Sequence, residues 1–232
     1  MSIQHYCLIE TNHSCGFHVH LAPLEMAWDV DLLKPFCRAI LYFERAFEAL
    51  LPAHCRGNEY AKSLLADNER LNGKTLRQVF YALSQCKSNA DIVALMNCGR
   101  DRFFGWNFVN LLQGGIQTVE FRRGPGVVLS IDCCRWVEMV VAFANASFIT
   151  DDTRLRSYTM DVSGLWRFIY DSISTETSLN ILRPLFEGKQ GFLDPSAVGS
   201  LTGQRRRKLR QKQREPEKNL ISEKMKLMFA PR

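Results

Sequence analysis

Phe17-His18-Val19-His20-Leu21 and Gln117-Thr118-Val119-Glu120-Phe121-Arg122 are the two stretches on which the fold turns. In the first, Phe17, Val19 and Leu21 share one face while His18 and His20 share the other. In the second, Val119 and Phe121 oppose Thr118, Glu120 and Arg122. A period of two is what a strand with one buried face requires. If both strands enter one sheet, two imidazoles, a carboxylate and a guanidinium look out from a common surface. A merely solvated sheet face would more often carry Lys, Thr and Ser. Imidazole and carboxylate ligate metals, and Arg forks onto carboxylate or phosphate, so the set suits a divalent cation with an anion beside it. Each pair alone is a weaker signal: an isolated HxH commonly decorates a surface, and an isolated ExR is usually a salt bridge worth about 0–1 kcal/mol. Cys7, His13, Cys15, His18 and His20 lie close together and admit a zinc site too, although no second ligand pair stands at a zinc-finger spacing.

Outward from the first strand, Pro35 reads as an early helical residue. Phe36, Ile40, Phe43, Phe47 and Leu50 then recur at three- and four-residue steps until Pro52, which predicts one core-facing helix. Residues 52–74 are polar and turn-rich and read as a long surface loop with room for a short helix. Thr75 is placed to cap a helix carrying Leu76, Val79, Phe80 and Leu83, and Asp91 one carrying Ile92, Leu95 and Met96. Arg102-Phe103-Phe104-Gly105-Trp106-Asn107-Phe108 reads as a strand neighbouring 117–122. Ser130 is expected to cap a helix running to Ile149 that is apolar on most sides and therefore buried. Two more helices gather around Leu165, Phe168 and Ile169 and around Leu179, Leu182 and Phe186. The pattern predicts an α+β fold, an antiparallel sheet with helices packed on one face. There is no GxGxxG or Walker phosphate loop to support the common nucleotide-binding α/β folds.

The formal net charge of +6 is unevenly divided. Residues 204–232 carry a net +8 and the remainder a net −2. The folded part therefore has no basic surplus for nucleic acid, and any such affinity falls to the tail, which reads as a solvated helix or a disordered end. No run reaches the roughly 18 apolar residues of a membrane span, and no signal-peptide pattern opens the chain. The eight cysteines show no repeating spacing and read as free thiols. The expected location is cytoplasmic, or nuclear if the basic run acts as an address.

Ser14-Cys15-Gly16-Phe17-His18-Val19-His20 and Thr118-Val119-Glu120-Phe121-Arg122-Arg123-Gly124-Pro125-Gly126 resemble the two signatures of the fungal-type amidoligase family, glutamine synthetase-like carboxylate–amine ligases. Glu44 in Tyr42-Phe43-Glu44, Arg56-Gly57-Asn58 and Arg102-Phe103-Phe104-Gly105-Trp106-Asn107 resemble further family segments. The resemblance implies that residues 1–203 are the C-terminal part of a glutamine synthetase-like catalytic domain, followed by the basic tail 204–232. It implies ATP-dependent amide-bond formation through an acyl phosphate, with Mg2+ as the metal and small-molecule or peptide carboxylates and amines as substrates. His18 and Glu120 would be metal ligands, and His20 and Arg56 would contact the nucleotide phosphates. Arg122 would bind the substrate carboxylate or acyl phosphate, and Arg102 would be a second catalytic arginine, a candidate for phosphate contact. Family members carry a section before the HxH strand with paired carboxylates, whereas Glu10 is the sole acid before it here. The expectation is a truncated start or an incomplete, inactive relative. The alternative is a remnant or interaction module that works through its tail.

Overall fold

The computed structural model describes residue 11 and residues 15–24, 27–173 and 175–193. The expected strands form one antiparallel sheet in the order β1-β3-β2, where β1 is Gly16–Leu21, β2 is Trp106–Asn107 and β3 is Val119–Pro125. The 102–108 segment contributes only the two residues of β2 to this sheet, and the Phe103 carbonyl and Gly105 N–H pair with Lys62 instead. Lys62 N–H donates to the Phe103 carbonyl and Gly105 N–H to the Lys62 carbonyl, a parallel bridge to the loop. His20 faces Glu120 directly across β1 and β3, and Asn107 faces Glu120 from β2. The β1–β3 register slips between Phe17 and Val19, so that Arg122 and Arg123 together stand opposite His18. Such a bulge re-aims side chains locally.

Eight α-helices accompany this sheet among the described residues. The α+β architecture with helices on the sheet is as the sequence predicts. Val119 and Phe121 are fully buried on the helix side, where Phe121 meets Phe47, Trp106 and Trp136 at ring-centroid distances of 6.1, 5.0 and 6.0 Å. Phe36, Phe43, Phe143 and Phe168 extend the same aromatic core. Fully burying each such ring is worth about 1.5–3 kcal/mol, which makes this layer the main source of stability.

The single helix expected from Pro35 is two, α1 (Val30–Tyr42) and α2 (Glu44–Leu50), broken at Phe43 with φ −99° and ψ 10°. Asp29 caps α1, accepting from Leu32 N–H at 2.7 Å, so Pro35 lies inside the helix rather than at its start. Past the break α2 turns Glu44 and Glu48 inward as well as Phe47 and Leu50. Thr75 caps α3 (Leu76–Ser84) in a capping box with Gln78, as predicted. The cap of α4 (Asn89–Met96) is Ser88; Asp91 instead sits in the first turn and accepts from Lys87 N–H, one residue before the cap.

Ser130 is already helical in α5 (Ser130–Ile149), which has Leu129 at its cap position and no side-chain cap. That helix buries one side, through Trp136, Met139, Val140 and Phe143, but leaves Val137, Val141 and Ile149 exposed, so it is less enclosed than its composition suggests. A one-turn α6 (Asp152–Leu155) precedes α7 (Val162–Tyr170) and α8 (Glu176–Phe186), the two helices expected there.

The 52–74 segment holds a 3-10 turn at Ala53–Cys55 but is more than a surface loop: Leu64, Asn68 and Leu71 are fully buried. Cys37, Cys55, Cys86, Cys98, Cys133 and Cys134 are free thiols. Among the described residues no helix is long and apolar enough to cross a membrane. The basic segment 204–232, and with it the expected domain boundary, lies outside the described residues, as do Cys7 and His13.

Candidate functional site

Period-two alternation on β1 and β3 puts His18, His20, Glu120 and Arg122 on the face away from the helices, and they meet at one carboxylate. Glu120 Oε1 lies 3.0 Å from His18 Nδ1, 2.6 Å from Arg122 Nη1 and 3.6 Å from His20 Nε2. Its other oxygen, Oε2, accepts from Asn107 Nδ2 at 2.8 Å. Only 7% of the Glu120 side chain is exposed, whereas His18 and His20 are about two-fifths exposed. Burial pushes the Glu120 carboxyl up, but the hydrogen bonds from His18 and Asn107 and the charge of Arg122 outweigh it, bringing the pKa down to about 2. The carboxylate is therefore ionised at neutral pH. His20 Nδ1 lies 2.9 Å from Thr118 Oγ1, a bond that orients its Nε2 toward Glu120.

Arg122 is held on three sides. Besides Glu120 it donates from Nε to the Tyr60 carbonyl at 3.3 Å, and its guanidinium carbon stands 5.7 Å from the Phe103 ring centroid. Arg102 stands 5.4 Å from that same ring. Burial and the charge of Arg102 pull the Arg122 pKa down while Glu120 pulls it up, and the downward causes prevail. A second guanidinium so close raises the local positive potential, which favours an incoming anion.

Arg56 is not part of this group. Its Nε and Nη2 donate to the carbonyls of Leu51 and Ala49 at 3.0 and 3.2 Å, closing the C-terminus of α2. Of the six residues singled out from the sequence, the structure thus gathers His18, His20, Glu120 and Arg122, sets Arg102 one ring away, and gives Arg56 helix-end contacts.

Asn107, Thr118, Tyr60 and Phe103 were not anticipated as members of the site. Asn107 and Thr118 could have been found from register, since the residues flanking Glu120 on its face must be its polar neighbours. Tyr60 acts through its carbonyl, which leaves no trace in side-chain pattern.

Behind the sheet lies a second charged cluster. The same alternation that turns Arg122 outward turns Arg123 into the core, where it pairs with Glu48 and, at 2.9 Å, with Glu44. Glu44 also accepts from the backbone N–H groups of Leu64 and Leu65 at 2.6 and 2.8 Å and from Ser63 Oγ at 3.1 Å. Glu48 accepts from Gly57 N–H at 3.2 Å. These bonds pin the 57–65 segment, and with it the Tyr60 carbonyl that receives Arg122. Gly105 makes room for this: a Cβ there would fall on Arg123 Nε and within 2.9 Å of Cδ and Cζ.

Among the described residues no group of three or more His, Cys, Asp or Glu side chains could hold a metal ion by itself. The polar face offers one carboxylate and two imidazoles, an incomplete shell. A family model described as "Putative amidoligase enzyme" matches residues 3–144, more than half of the chain. No curated protein and no solved structure matches the chain.

Proposed function

The chain belongs to the amidoligase family, and from that premise we propose that it forms an amide bond between a carboxylate and an amine, with conversion of ATP to ADP and phosphate. A carboxylate oxygen of the substrate attacks the γ-phosphorus, ADP departs, and an acyl phosphate results. The amine then attacks the acyl carbon, and phosphate leaves with the bonding pair as the nitrogen loses a proton. Positioning and charge neutralisation supply nearly all the help this sequence needs.

The observation that carries the reading is the convergence of His18, His20 and Arg122 on Glu120 at an open sheet face. Arg122, with its charge beside that of Arg102, suits the substrate carboxylate and the acyl phosphate. His20 suits a phosphate oxygen. Arg56 would join the nucleotide contacts only by leaving the α2 carbonyls.

Mg2+ is commonly bound by one or two carboxylates, with water and substrate phosphates completing its octahedron. One carboxylate and an imidazole therefore fit a single cation arriving with the nucleotide, with Glu120 and His18 as its protein ligands. The metal would supply neutralisation of phosphate charge. The substrates are small-molecule or peptide carboxylates and amines.

Purified protein given ATP, Mg2+, and panels of amino acids or peptides with ammonia or primary amines should release ADP and phosphate in a carboxylate-dependent way. Glu120→Ala should lower that turnover by about 10²-fold or more. A parent without turnover, or a variant equal to it, would overturn the reading.

A further inference from the structure

The two oxygens of Glu120 are used differently. Oε1 faces His18, His20 and Arg122, the groups of the open face, while Oε2 is taken by Asn107 Nδ2 at 2.8 Å. Asn107 lies on β2 directly opposite Glu120 and is 1% exposed. Its own amide is fixed from the other end, because Oδ1 accepts from Val109 N–H at 2.9 Å. That bond determines which end of the amide is the donor, so Nδ2 must point at Glu120. The segment carrying it is fixed in turn by Asn97, whose Nδ2 donates to the Asp101 and Trp106 carbonyls and whose Oδ1 accepts from Phe108 N–H. A chain of buried amides thus runs from the end of α4 to one oxygen of one carboxylate.

We infer that Asn107 is a positioning residue: it locks the Glu120 carboxylate by Oε2 so that Oε1 alone is presented to the cation-bearing nucleotide. The inference rests on the ligase reading above. Without the Asn107 donor the carboxylate can rotate about its last bond, and Arg122, 2.6 Å from Oε1, can take it in a two-pronged pair that leaves neither oxygen for the cation. Partners that orient a metal-binding carboxylate from behind commonly contribute about 10–100-fold to metal affinity.

Asn107→Ala would remove the Val109 bond too and could fail to fold for that reason alone. Asn107→Ser separates the roles, since a Ser hydroxyl can accept from the N–H two residues on but is too short to reach Glu120. The affinities to compare are those for the manganese–ATP complex, followed by the spin resonance of Mn2+, and for metal-free ATP. The proteins are the parent chain, Asn107→Ser, Glu120→Gln and the double variant. Asn107→Ser should bind manganese–ATP about 10–100-fold more weakly, bind metal-free ATP as the parent does, and cause no further loss in the Glu120→Gln background. If Asn107→Ser stays within twofold of the parent while Glu120→Gln weakens the complex, the positioning role is wrong and the ligase reading stands. Losses that multiply in the double variant, or equal losses of metal-free ATP, also overturn it. A parent chain that does not bind manganese–ATP overturns both.

Discussion

Asp161 illustrates how one carboxylate can hold a helix end. It accepts from Gly164 N–H at the start of α7 at 2.8 Å and from Thr159 Oγ1 at 2.7 Å. The Thr159 bond first, and then the backbone N–H groups, hold its carboxyl below the usual range. Because the folded value is the lower one, the stability it contributes is present above the ordinary carboxylate pKa and is lost as pH falls toward the folded value. Asp161→Ala should cost about 1 kcal/mol near pH 7. The gap between parent and variant in urea midpoint should then narrow as the medium is made more acid than about pH 4. A gap that is constant with pH would show that the cap does not act through the ionised form. At the same scale, His18, His20, Glu120 and Arg122 were legible because strand alternation assigns a face to every side chain. Alternation turns Arg123 to the core face as well, but the partners that keep its charge there, Glu44 and Glu48, were not legible, because their positions follow from where a helix breaks.

Among the elements, regularity made β1, β3, α3, α4, α5, α7 and α8 readable, while the α1–α2 break, the shortness of β2 and the buried part of 52–74 stayed hidden. The α1–α2 break at Phe43 interrupts a stripe whose three- and four-residue steps continue across it, so spacing alone cannot reveal it. The 52–74 segment was harder, since its polar residues suggested solvent while several of them bury by bonding backbone. Asn68 is fully buried, donates to the Leu95 and Met96 carbonyls at the end of α4 at 2.8 and 2.9 Å, and accepts from Arg70 N–H at 2.9 Å. It acts as a helix cap from a distance of 27 residues along the chain. Asn68→Ala leaves those buried groups without this partner and should cost about 1–3 kcal/mol in urea unfolding. Faster amide exchange should appear in 63–72 and at the α4 end together. Faster exchange in the loop alone would mean that Asn68 serves only its own segment.

Across the whole molecule, one strand ties the aromatic core to the polar face, and Arg123 beside Arg122 is where the two meet. Burial works against the charge of Arg123, while Glu48 and Glu44 outweigh it and raise its pKa, so the guanidinium stays charged in the core. Removing one partner of such a cluster leaves buried charge uncompensated, and Arg123→Ala should cost about 3–5 kcal/mol. Gly105 is coupled to it twice: its missing Cβ admits the Arg123 side chain, and its carbonyl accepts from Arg122 N–H at 2.9 Å. Gly105→Ala should therefore cost about 1–3 kcal/mol by crowding a side chain that is bonded on both sides and cannot yield. If that crowding is the cause, the penalty should largely vanish when Gly105→Ala is placed in the Arg123→Ala background, giving a strongly non-additive cycle in urea unfolding. Additive costs would mean that Gly105 is needed for its backbone alone, and that the polar face does not depend on the buried cluster behind it.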